Sequence, residues 1–142
     1  MDERIQAAIK KLKSSKATEN AAKSAAEELA SADLLIQALE RRAGDLASGM
    51  ETEYIKKLKS QREELYARYL YCSAKRRSIQ RALNSLDEAE KTVLEVFYRD
   101  KPSDAHCLDI LMERLGYEKT QIYRIRAAAL TKFTEHLFGI AD

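Results

Sequence analysis

The sequence predicts an all-α protein in two parts: a long, coiled-coil-like helical hairpin over residues 1–83, then a three-helix unit with a helix-turn-helix over 84–142. Three observations carry this expectation. Proline occurs once and glycine four times in 142 residues, and long stretches are built from Ala, Leu, Glu, Lys, Arg and Gln, the strongest helix formers. Apolar residues recur with alternating steps of three and four through the first half, the spacing of a helical seam. The segment Leu115 to Arg126 reads as the end of one amphipathic helix, a turn opened by Gly116, and the start of another.

The first stripe begins with Ile5, Ala8 and Leu12 and continues as Ala22, Ala25, Leu29, Ala32, Ile36, Leu39, Ala43 and Leu46. Ser15 and Glu19 occupy the seam positions between, so a long helix with a bend near Ser14–Ser15 is expected. Gly44 and Gly49 bracket a turn, and Thr52 with Glu53 is placed to start the next helix. That helix repeats the spacing as Ile55, Leu58, Leu65, Tyr69, Cys72, Ile79 and Leu83, with Arg62 and Arg76 at the two seam positions left over. Charge at the seam disfavours pairing of this helix with itself over its length. A short connection between two amphipathic helices points to antiparallel pairing, with the alanines permitting close approach; a homodimer through the same N-terminal stripes stays open.

Ser85-Leu86-Asp87-Glu88 resets the chain with a serine three residues before a glutamate, the pattern of a capping box, and acids crowd the first turn that follows. Leu86, Ala89, Val93, Leu94, Phe97 and Tyr98 form the expected buried face. Pro102, Ser103 and Asp104 end this helix and begin another, whose apolar residues are Leu108, Leu111, Met112 and Leu115. The last helix is expected from about Lys119 to Leu137, with Ile122, Ile125, Ala129, Phe133 and Leu137 inward.

Composition narrows the function classes. The window hydropathy never reaches a membrane span and the N-terminus lacks a signal-peptide core, so no membrane association and a cytoplasmic location are expected. Cys72 and Cys107 stand in separate helices without metal-ligand spacing, which predicts ordinary buried or half-buried thiols and no cofactor. His106 and His136 are the only histidines, and no nucleophile–base pair or phosphate-binding glycine loop is visible, so an enzyme is not expected.

The net charge of +2 conceals segregation along the chain. Residues 1–50 balance, 54–81 are strongly basic, 82–118 are acidic, and 119–132 carry Lys119, Arg124, Arg126 and Lys132 with no acid. Clustered bases fit a polyanion, although a single charge run also describes a solvated helix face. Lys119, Thr120, Gln121, Tyr123 and Arg124 cluster at the N-terminal end of the last helix, the end that enters the major groove in helix-turn-helix proteins. Lys119 and Arg124 are candidates for phosphate or guanine contact, Thr120 and Gln121 for base-edge hydrogen bonds, and Tyr123 for phosphate or thymine-methyl contact. Arg126 and Lys132 would lie further along, near the backbone of double-stranded DNA. Packing against the preceding helix is the competing reading for Tyr123. Lys75, Arg76, Arg77 and Arg81 are candidates for sequence-independent contact.

The stretch Ala82 to Tyr98, with its acidic first turn, Val93-Leu94 pair and following aromatic, resembles the opening helix of sigma-70 region 4, and Ala128-Ala129-Leu130-Thr131-Lys132-Phe133 is similar to that domain's tail. With a helical N-terminal half before it, the whole resembles the small phage and prophage transcription regulators of the RinA/ArpU type; Ile122 to Arg126 is the segment most like that group. The resemblance covers roughly residues 82–138 by motif and the remainder by architecture alone. It implies a sequence-specific, DNA-binding transcription regulator that also contacts RNA polymerase. Two positions depart from the pattern: Met112 stands where a small residue is usual, and Glu118 replaces the Ser or Thr that caps the recognition helix. A small terminase-like DNA-packaging subunit and a helical protein-interaction module without DNA binding are the alternatives.

Overall fold

The structure is a computed structural model and describes residues 2–45, 49–100 and 104–139. Every regular element among them is helical, as the composition predicts: α1 (Glu3–Lys13), α2 (Ser15–Asp45), α3 (Gly49–Asn84), α4 (Glu88–Leu94) running into a π-helical segment (Glu95–Asp100), α5 (Asp104–Leu115) and α6 (Lys119–Phe138). The expected bend at Ser14–Ser15 is a break between α1 and α2. The turn expected between Gly44 and Gly49 falls largely on residues 46–48, outside the described residues, as do Leu46 and Pro102. Thr52 does not start a helix, because α3 is already helical from Gly49.

The chain divides into two compact units, residues 18–75 and residues 1–17 with 76–142. This differs from the expected boundary at 83. The first stripe does not run as one seam: Ala8 and Leu12 are buried with Ile79, Ala82, Leu83, Leu86, Leu94, Ala129, Leu130 and Phe133 in one cluster. Ile5, Ala8 and Leu12 thus form a separate short stripe that closes the core over α4 and the C-terminal half of α6. The interruption at Ser15 and Glu19 marks the change of partner. Ser15 is buried, its hydroxyl donating to the Leu12 carbonyl at 2.7 Å and accepting from Arg99 Nε at 3.0 Å, so the break hides no unsatisfied hydroxyl. Asp2 caps α1 by accepting the Arg4 N–H at 2.9 Å, and Arg4 donates to the Gly139 carbonyl beyond α6.

A second cluster in the same unit holds Val93, Val96, Phe97, Cys107, Leu111 and Ile122. α4 and its π-helical continuation lie between the two clusters, Leu94 facing one and Val93 the other. Val96 was not on the expected face; the wider π-helical turn departs from a 3.6 period and brings it inward. Met112, expected inward, is 40% exposed, because Cys107 and Leu111 take the buried line of α5 and Met112 falls one residue past it. The cap of α4 is also displaced by two residues. Asp87 accepts the Glu90 N–H at 2.8 Å and donates its own N–H to Glu90 Oε1 at 3.3 Å, whereas the Ser85 hydroxyl donates back to the Ala82 carbonyl at 2.6 Å and closes α3.

In the unit of residues 18–75, α2 and α3 carry the seams read from the sequence. Ala22, Ala25, Ile36 and Ile55 are buried, and Leu29, Ala32, Leu39, Leu58, Leu65, Tyr69 and Cys72 are half-buried. Glu28–Arg68, Asp33–Arg62 and Glu40–Lys59 pair across the two helices at 3.9, 3.2 and 2.6 Å. Residue numbers rise along α2 as they fall along α3, so the helices run antiparallel. The Asp33 carboxylate meets the cation that Arg62 brings to the seam. These pairs are largely exposed and fix register more than they stabilise.

Candidate nucleic-acid interface

The two ends of α6 have different supports. Ala129, Leu130 and Phe133 fix its C-terminal half in the cluster shared with α1, and Ile122, fully buried, fixes its N-terminal half against α4 and α5. Between α5 and α6 the chain turns at Gly116, whose φ of 70° lies in the left-handed region and whose N–H donates to the Met112 carbonyl at 3.0 Å. A Cβ there would meet nothing within 4 Å, so the backbone conformation, not lack of space, favours glycine. Glu118 precedes α6 in an extended conformation and makes no side-chain cap hydrogen bond. The first-turn N–H groups of α6 therefore receive nothing from that carboxylate.

This anchoring sorts the candidate residues into two groups. Thr120, Gln121 and Arg124 are exposed on one flank of α6 and, with Ile125 and Ala128, line a groove. Lys119, Tyr123 and Arg126 lie on the other flank. The Arg126 guanidinium stands 4.8 Å from the Phe97 ring centre and 4.9 Å from that of Tyr123, and Lys119 Nζ lies 5.9 Å from the Tyr123 ring. Tyr123 is half-buried against the second cluster, as the competing reading has it. Arg126, half-buried between two rings, is committed to cation–π packing and is less available to a ligand than Arg124.

The lining of the same groove also holds the acids Asp87, Glu90 and Glu118. Glu90 is neutralised within the fold: its side chain is 7% exposed and Lys132 Nζ sits 2.9 Å from Oε2. Lys132, expected beside a DNA backbone, is instead the partner of this buried carboxylate. The backbone N–H of Glu90 holds the Asp87 carboxyl below its ordinary value, and the hydrogen bond to Glu90 raises Lys132 above its own. Linkage gives these shifts opposite signs. The Asp87 contribution to stability is present above about pH 4 and lost as pH falls through its lowered folded value; that of Lys132 is present below about pH 10 and lost as pH rises through its raised folded value. Replacing Lys132 with Met should remove the alkaline loss while leaving the larger part of the acid loss, which rests on the Glu90 N–H and not on the Lys132 charge. Thermal melting of both proteins from acid to alkaline pH measures this, and an unchanged alkaline limb would count against the assignment.

The basic residues of α3 stand elsewhere. Arg76, Arg77 and Arg81 are exposed on the end of α3 whose Ile79, Ala82 and Leu83 pack in the cluster shared with the C-terminal half of α6. Lys75 belongs to the other compact unit, with its Nζ 5.1 Å from the Tyr71 ring. Arg76, Arg77 and Arg81 thus flank residues that cluster with the C-terminal half of α6 and not with Ile122 at its N-terminal end. Sequence reasoning missed the Asp87–Glu90–Lys132 cluster. Its local half was legible as the overlapping Asp87-x-x-Glu90 box, while the link to Lys132, 42 residues on, had no local signal.

The arrangement suits recognition through exposed donors and acceptors on a rigidly held helix end. Among the described residues no group of three or more His, Cys, Asp or Glu could hold a metal ion, and no helix is long and apolar enough to cross a membrane. Comparison of the chain with family models, curated proteins and solved structures gives no significant match.

Proposed function

We propose that this protein is a sequence-specific, double-stranded-DNA-binding transcription regulator of the phage or prophage type, acting in the cytoplasm by binding rather than catalysis. In this reading α5, the Gly116 turn and α6 form a helix-turn-helix and α2 with α3 a helical hairpin. The observation that carries the reading is the outer face of the first turns of α6: Thr120, Gln121 and Arg124 are exposed on a helix end that Ile122 locks in place. An amide, a hydroxyl and a guanidinium within two turns are the groups that read base edges in a major groove. The likeness of residues 82–138 to sigma-70 region 4 extends the proposal to contact with RNA polymerase.

Duplex binding measured over a range of salt tests the electrostatic half of the proposal. Affinity should fall steeply with salt, and neutralising Lys75, Arg76 and Arg77 together should lower the logarithmic slope by about 0.9 for each phosphate that is no longer neutralised. An unchanged slope would remove α3 from the interface.

The acids in the groove lining favour a second reading. Asp87 and Glu118 repel a phosphate backbone but suit a basic protein segment, so a protein-interaction module is the reading to adopt if duplex DNA is not bound at low salt.

A further inference from the structure

Glu118 stands where a short polar cap would serve α6 better, and the fold makes no use of its side chain. It is exposed, and among the described residues its carboxylate makes no cap hydrogen bond, no other side-chain hydrogen bond and no ion pair. Gln121 and Arg124 are exposed and equally uncommitted. Spaced three residues apart, Glu118, Gln121 and Arg124 share one side of the helix and line the same groove. In order they present an acceptor, a group that both accepts and donates, and a donor. At about 1.5 Å per residue the outer two are about 9 Å apart along the axis, the rise of about two to three base pairs. In zinc fingers, side chains at this three-residue spacing on one helix contact successive bases.

We infer that Glu118 is a specificity-determining residue that reads a cytosine, about two to three base pairs from the guanine read by Arg124. The role rests on the duplex-binding reading proposed above and adds a base to it. A carboxylate can only accept, and in the major groove only cytosine N4 and adenine N6 donate. Adenine sets its N7 acceptor beside the amine, which suits the amide of a glutamine, whereas cytosine presents its amine alone. Guanine and thymine offer O6, N7 and O4, whose lone pairs repel a carboxylate, so Glu118 also selects against them. A phosphate would be repelled in the same way, which leaves a base edge as the contact that this side chain can make with a duplex.

Selection from a randomised duplex library by the full chain, repeated with Glu118→Gln and Glu118→Ser, tests the role. Arg124→Ala run alongside marks the guanine as the position whose preference it relaxes. The expected result is a motif with a cytosine near that guanine, at which Glu118→Gln lowers the preference for cytosine over adenine by about tenfold or more and leaves the guanine unchanged. Glu118→Ser restores a good cap, so its melting temperature should equal or exceed that of the unaltered chain while the cytosine preference is lost; a purely structural role would move the melting temperature and not the base. A motif that both Glu118 variants select unchanged would overturn the role of Glu118 and leave the duplex-binding reading standing. A change confined to a base other than cytosine would overturn the assignment of the base. Failure of the unaltered chain to select any motif at low salt would overturn the duplex-binding reading, and the role of Glu118 with it.

Discussion

Leu12→Ala is expected to destabilise the unit that contains α6 by about 2–5 kcal/mol, the cost of removing a fully buried leucine and leaving a cavity. Leu12 is completely buried, although it lies more than a hundred residues from Ala129, Leu130 and Phe133 with which it clusters. Removing residues 1–14 should do more, because it strips Ile5, Ala8 and Ile9 from the same core as well. A fragment beginning at residue 84, the expected domain boundary, lacks this wall and Ile79, Ala82 and Leu83 besides, so it should lose cooperative unfolding. Urea denaturation is the check: a lowered midpoint at unchanged slope reports the lost stability. A change below about 0.5 kcal/mol, ordinary for surface sites, would mean that α1 does not pack as described.

Arg124→Ala is expected to weaken duplex binding by about 1–3 kcal/mol if its guanidinium makes a bidentate base contact, with little change in stability because the residue is exposed. Arg126 provides the contrast. Its guanidinium packs between Phe97 and Tyr123, so Arg126→Ala should lower stability by roughly 0.5–2 kcal/mol with a smaller direct effect on affinity. Titration of one labelled duplex with both variants, beside their melting curves, separates reading from support. An Arg124→Ala protein that binds with unchanged affinity and sequence preference would remove Arg124 from the interface.

The seams of α2 and α3 were legible because they are local and periodic: each residue from Ala22 to Leu39 and from Ile55 to Cys72 on the stripes is buried or half-buried. The membership of α1 was not, because Ile5, Ala8 and Leu12 have the same spacing as the stripe after them, and periodicity states that a face is buried without stating against what. The seam positions at Ser15 and Glu19 were the only sign of a change. Ile122, Ala129 and Phe133 were legible on α6 for the same periodic reason. Val96 and Met112 were missed where a π-helical segment and a shifted buried line break the 3.6 period. At the candidate site, exposure of Thr120, Gln121 and Arg124 follows from the wheel. The Tyr123–Arg126–Phe97 stack and the Glu90–Lys132 pair depend on contacts between helices distant in sequence, and only the fold brings them together.

The two halves of the electrostatic picture oppose each other at one place. Arg124 lines a groove together with Asp87 and Glu118, and the exposed pair of acids weakens its attraction for phosphate while leaving hydrogen bonds to base edges available. Binding dominated by base reading should therefore show strong sequence preference over modest non-specific affinity. Selection of genomic fragments from the source by the purified full chain at moderate salt, followed by sequencing, tests this most directly. The account predicts enrichment of one short sequence upstream of genes, lost when Thr120, Gln121 and Arg124 are all replaced by alanine. Uniform capture, or none, would contradict it.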